Sequence, residues 1–199
     1  MEENLILKAI EALSKGKIVV YPTDTLYGLG ADIFNKDALN KIYSVKKRPY
    51  NMPLSVAVSN LKELKKIAYV DNRTELLINK FLPGKLSLIL KKKDHILDLL
   101  TANSKKIAVR MPDNDIALNI ISKFGPITAT SANIHNLKTP SIIKEISMQF
   151  KEDDIAVYID DGKLVGKHST IVDMTGKEIK IVRKGFIEKK DILDAISNE

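Results

Sequence analysis

The chain has 199 residues, 44% hydrophobic and 29% charged, enough to bury one sizeable core and too apolar for a disordered chain. It contains no cysteine, which excludes disulfide frameworks, thiolate nucleophiles and cysteine-held zinc or iron-sulfur sites. With 32 basic against 25 acidic side chains, a net charge of +7 and a pI near 9.3, it suits a polyanionic partner and equally an ordinary lysine-rich surface. No apolar run approaches the roughly 18 residues of a bilayer span, and Met1-Glu2-Glu3 has the wrong charge for a signal peptide, so a soluble cytoplasmic protein is expected.

In chain order, the stripe Leu5, Ile6, Ala9, Ile10, Leu13 predicts a helix stopped by Gly16, and Lys17 to Tyr21 a strand ended by Pro22. Asn35 caps a helix to about Val45, and Pro53 to Val58 reads as a strand. Asn60 with Glu63, and Asn72 with Glu75, each have the spacing of a reciprocal N-terminal cap, which predicts two helices before Leu82-Pro83-Gly84. Strands follow over Lys85 to Lys91 and Lys106 to Met111, then a helix from Asp115 to Phe124 and a strand from Pro126 to Thr130. After a polar loop come a helix beyond Ser141, strands near Ile155, Thr170 and Ile179, and a last helix over Glu188 to Ser197. The alternation predicts an α/β fold: one domain over residues 1–199, a twisted open mixed sheet flanked by helices, with Thr175-Gly176-Lys177 turning a late antiparallel pair.

Only Arg48, Arg73, Arg110 and Arg183 are arginine. Where lysine is the default cation, an arginine marks a place needing a planar fork for carboxylate or phosphate. Arg110 ends a strand and is expected in a partly desolvated pocket; Arg73, at a helix start, is expected to be solvated. The segment from Tyr21 to Gly30 carries two hydroxyls, a carboxylate and two glycines, fitting either a solvent-exposed turn or a cradle in which glycines admit a ligand to the backbone. Lys46 and Arg48 follow a helix, as a solvated C-terminal turn or as a phosphate grip at an open cleft. Ser131 and Asn133 extend a buried-looking strand, to bind or to cap a turn. His168 and Ser169 point to opposite faces of an extended chain and make no triad. His95 and His135 read as surface residues. No dinucleotide fingerprint or GxxxxGK[ST] loop occurs.

Taken together, the blocks PTDTLYGLGAD (22–32), KKRPYNMPLSV (46–56), LPGKLSLIL (82–90), AVRMPD (108–113), TSANIHNLKTPS (130–141), HSTIVDMTG (168–176) and IVRKG (181–185) resemble the YrdC/Sua5 family of threonylcarbamoyl-adenylate synthases, in its short form without the extra C-terminal domain. The resemblance implies a large basic concave cleft, and conversion of L-threonine, bicarbonate and ATP to threonylcarbamoyl-AMP and pyrophosphate, with Mg2+ held mainly by the triphosphate. A partner enzyme would then modify adenosine 37 of tRNA. Carried over by position, Thr25, Arg110 and Ser169 would hold threonine; Lys46, Arg48, Ser131, Asn133, Ser141 and Arg183 the nucleotide, with Lys46 and Arg48 catalytic. Met52, Ala57, Lys106, Lys184 and His168 depart from the family pattern. The alternative is a non-catalytic RNA-binding paralogue using the same basic concavity.

Overall fold

A computed structural model describes residues 2–166 and 168–197. The chain begins with helix α1 (Glu2–Ser14), strands β1 (Val19–Tyr21) and β2 (Gly28–Gly30) and helix α2 (Lys36–Lys46), followed by β3 (Val56–Ala57), α3 (Leu61–Ile67), α4 (Asn72–Phe81) and β4 (Leu86–Lys91). Then come β5 (Lys106–Arg110), α5 (Asp115–Phe124), β6 (Ile127–Thr128), β7 (Thr130–Ser131), α6 (Ile143–Ser147), β8 (Val157–Tyr158), β9 (Thr170–Asp173), β10 (Lys180–Arg183) and α7 (Lys189–Ser197).

Helix boundaries follow capping chemistry. Asn35 Oδ1 accepts from the Asp37 and Ala38 N–H groups at 3.0 Å to start α2. Asn60 accepts from the Glu63 N–H at 2.9 Å, and Glu63 reaches back to the N–H of Ser59, one residue earlier than a reciprocal box requires. The predicted Asn72 cap is displaced: Asp71 caps α4 through the Thr74 N–H at 2.8 Å, because its short carboxylate already satisfies that donor. In α5, Ile116, Ala117, Ile120 and Ile121 share one buried face, each isoleucine contributing about 1.5–3 kcal/mol of apolar burial.

Two mixed sheets form, correcting the single sheet expected. One has the order β7-β2-β1-β8, the other β10-β9-β4-β5-β3-β6. The predicted strand Pro126 to Thr130 divides between them, with β6 pairing β3 and β7 pairing β2. Thr128 explains the switch. Its hydroxyl donates to Leu29 O at 2.7 Å and accepts from the Ala31 N–H at 3.0 Å, so one side chain satisfies backbone groups of the neighbouring sheet. The late antiparallel pair is present as β9 and β10. Side chains alternate across β1: Val19 and Tyr21 join a core with α1 and α5, while Ile18 and Val20 join the larger core under α2, α3, α4 and α7. No helix of the described residues is long and apolar enough to cross a membrane.

Candidate functional site

The ends of β4, β5, β7, β9 and β10, the turn after β1 and the residue after Lys47 converge on a cavity of about 280 Å3. Its wall includes Thr23, Thr25, Arg48, Ser87, Arg110, Ser131, His168, Ser169 and Arg183, and no carboxylate side chain among the described residues. Three guanidiniums and eight hydroxyl-bearing residues, Ser55, Thr130 and Tyr27 among them, therefore line one space. That composition attracts an anion and supplies donors wherever negative charge gathers.

Arg110 is positioned by its strand and by two side chains of the Pro22 to Tyr27 turn, one of them braced by a third. Its Nη1 donates to Thr25 Oγ1 at 3.0 Å and its Nη2 to Asp24 Oδ1 at 2.5 Å. Thr25 Oγ1 lies 3.1 Å from Thr23 Oγ1, which donates to Leu26 O at 2.6 Å. Because Thr23 spends its one proton on that carbonyl, Thr25 is the donor between the two hydroxyls. Arg183 donates through Nε and Nη2 to Ser169 O at 3.1 and 2.9 Å and reaches Ser169 Oγ at 3.1 Å. Burial and then Arg110 hold the Arg183 guanidinium below its ordinary pKa; the two cations thus feel each other across the cavity. Ser87 and Ser169 face each other at 2.9 Å between Oγ atoms, both buried.

Arg48 enters from the α2 end. Lys47 takes the left-handed conformation at φ 50°, which turns the chain out of the helix. Arg48 Nε then donates to Met52 O at 3.2 Å and Nη2 to Pro53 O at 2.9 Å. The departure at Met52 leaves this grip intact, since it uses the main-chain carbonyl. The departures at Ala57 and Lys106 lie away from the cavity: Ala57 packs in the α1/α5 core, and Lys106 holds Asp173 at 2.7 Å at the opposite end of β5 from Arg110. His168 stands exposed at the cavity wall, with its pKa pushed down by partial burial and then by Arg183. His95 is exposed and His135 half-buried, and neither lines the cavity.

Of the predicted site residues, Thr25, Arg48, Ser131, Arg110, Ser169 and Arg183 share the cavity, whereas Lys46, Asn133 and Ser141 are outside its wall. Lys46 is the clearest correction, because it is 1% exposed and not at an open cleft. Its Nζ donates to Ser131 O at 2.6 Å and to Asn133 O at 2.7 Å. Burial, and then Arg48, push it down to about 7. Asn133 is equally committed: it accepts from Ser131 Oγ at 2.5 Å and donates to Ile134 O and Leu137 O. Lys46 and Asn133 thus brace the loop that carries Ser131. Ser141 accepts the Leu164 N–H at its carbonyl. Arg73 is also not simply solvated, since it donates to Lys177 O at 2.6 Å and Gly176 O at 3.2 Å.

Sequence reasoning missed Ser87, which looks like any polar residue alternating along a strand. Of the two glycines of the expected cradle, Gly28 lines the cavity and Gly30 does not; both lie within β2, and a Cβ on either would press on the Tyr21 ring at 3.1–3.2 Å. Gly166 and Gly185 went unread. A Cβ on the first would strike the Thr25 backbone, and on the second the Ser169–Thr170 backbone, so two crossing segments are laid directly on the residues whose hydroxyls line the cavity.

The fold is thus mixed α/β, with a cationic, hydroxyl-lined cavity at the strand ends. The profile of the Sua5/YciO/YrdC family, described as telomere recombination, matches residues 11–185, and the chain belongs to that family. It is 40% identical to a putative threonylcarbamoyl-AMP synthase of Methanocaldococcus jannaschii, over 90% of this chain and 87% of the relative. Among solved structures, it matches Sua5 of Pyrococcus abyssi complexed with L-threonine, at a TM-score of 0.93 and 32% identity, over 99% of this chain and 58% of that one. YciO of E. coli matches at a TM-score of 0.85 and 28% identity, over 96% of this chain and 94% of that one.

Proposed function

We propose that the chain makes threonylcarbamoyl-AMP and pyrophosphate from L-threonine, bicarbonate and ATP, a nucleotidyl transfer to a carbamate. The observation that carries this is the cavity wall itself: Arg48, Arg110 and Arg183 with the hydroxyls of Thr23, Thr25, Ser87, Ser131 and Ser169, and no carboxylate. The threonine complex of the P. abyssi relative supports the amino acid, and the relatives' names support the adenylate.

The reaction needs no enzyme nucleophile. The threonine amine, in its neutral form, bonds to the bicarbonate carbon as hydroxide leaves and takes a proton from that nitrogen, giving carbamate and water. A carbamate oxygen then attacks the α-phosphorus and pyrophosphate departs. Negative charge builds on phosphate oxygens, so aligned cations and hydroxyls are what the protein must supply. Arg110, Thr25 and Ser169 hold the amino acid. Arg48, Arg183 and Ser131 face the phosphates, with Lys46 and Asn133 fixing Ser131 from behind and Ser141 nearer the adenosine. Mg2+ would enter with the triphosphate, as part of the nucleotide substrate. The product is a reactive mixed anhydride, and a group-transfer enzyme acting on tRNA must consume it.

Pyrophosphate release should require threonine, bicarbonate and Mg-ATP together. Equal release with alanine in place of threonine overturns the reading.

A further inference from the structure

Arg110 carries the proposed threonine site, yet the side chain that orients it lies in a different recess. Asp24 borders a neighbouring groove of about 480 Å3, together with Lys85, Asp113 and Phe186, while Arg110 and Thr25 line the site. The ion pair therefore forms the partition between the two recesses. Its side chains are 9% and 6% exposed, with Oδ1 at 2.5 Å from Nη2. Asp24 Oδ2 and Arg110 Nε have no hydrogen-bond partner, so the carboxylate grips the fork through a single bond, with Thr25 on the other terminal nitrogen. Arg183 lines the same cavity, its guanidinium held below its ordinary pKa by burial and then by Arg110. Without a counter-charge, two guanidiniums would oppose each other in a partly dry cavity, and Arg110 would swing away.

We propose that Asp24 is a positioning residue: from outside the cavity it holds the Arg110 guanidinium in the orientation that takes the substrate carboxylate. This rests on the functional reading above for the identity of the substrate, but not for the contact. Three features support a role beyond folding. The carboxylate acts on a side chain 86 residues away in sequence. Thr25 holds the neighbouring Nη1 of the same group. The pair is itself buried, so its attraction is little screened by solvent or salt.

Two measurements test it. With only four arginines in the chain, arginine Nε–H resonances can be followed one by one. In Asp24→Asn the Arg110 signal should exchange with solvent at least tenfold faster while those of Arg48 and Arg73 are unchanged. This arm reads the contact whatever the substrate. In steady-state assays, Asp24→Asn should raise the threonine KM about tenfold or more, the scale of a lost charge-assisted bond, and leave the ATP KM within about twofold. In an Arg110→Lys background the same change should add less than about twofold, because Asp24 acts through Arg110. If Asp24→Asn fails to fold, Asp24→Glu keeps the charge and displaces it by one methylene, and a threonine KM raised with ATP unaltered is the corresponding result. A lower threonine KM would mean that Asp24 competes with substrate, and equal increases in both KM values would mean a merely structural residue; either overturns the proposal, as does an unchanged Arg110 signal. A wild-type chain without threonine-dependent turnover would instead overturn the functional reading, leaving the resonance arm to decide this one.

Discussion

At the residue scale, scarcity of arginine proved informative for three of four positions: Arg48, Arg110 and Arg183 line the cavity, and Arg73 is spent on a turn. Arg110→Lys keeps a charge but cannot reach Asp24 and Thr25 together, so threonine affinity should fall about ten- to a hundredfold by calorimetry with ATP affinity nearly unaltered. Arg73→Lys should behave oppositely. Losing one of its two carbonyl bonds should lower urea stability by about 0.5–1.5 kcal/mol and leave both ligand affinities in place. Lys46 gives a pH signature. Its folded pKa of about 7 lies below the 10.5 of a free lysine, so between those values the unfolded chain holds a proton that the folded chain lacks, and stability from this group rises with pH. Wild type should therefore gain on Lys46→Met from pH 7 to 9 in urea unfolding, by at most about 1.4 kcal/mol per pH unit. A gap that stays constant would return Lys46 to its ordinary pKa.

At the scale of elements, the helices and most strands were legible, and the division of the strands between two sheets was not. Apolar periodicity and caps such as Asn35 and Asn60 are local and survive in the sequence. The division of 126–131 between two sheets follows Thr128, whose hydroxyl bonds Leu29 O and the Ala31 N–H of the neighbouring sheet. Thr128→Val keeps shape but removes the hydroxyl's bonds to both backbone groups in a buried place, and should cost about 1–3 kcal/mol by chemical denaturation. Full retention of stability would show that the sheets part for another reason. The same logic explains Gly166 and Gly185, whose need for space arises only when distant segments cross Thr25 and Ser169.

Over the whole molecule, charge is concentrated by geometry more than by composition. Net +7 spread over lysines is an ordinary surface, whereas three guanidiniums around one cavity focus potential on a single place. ATP affinity should consequently fall as ionic strength rises, and Arg183→Gln should flatten that dependence in titrations at several salt concentrations. Equal slopes for variant and wild type would remove Arg183 from the anion-binding set.

Helix positions, mixed α/β character and the strand-end hydroxyls and arginines were determined by the sequence itself, since they rest on side-chain type and on contacts within a few residues. Tertiary structure alone decided which of those groups meet. Lys46 carries the same basic character in the sequence as Arg48, yet one is sealed behind Ser131 and the other reaches the cavity. Asp24 read as a turn residue until β5 brought Arg110 beside it from 86 positions away. Burial and long-range pairing are properties of the packed chain, and no local pattern encodes which carbonyl or carboxylate a buried cation will find.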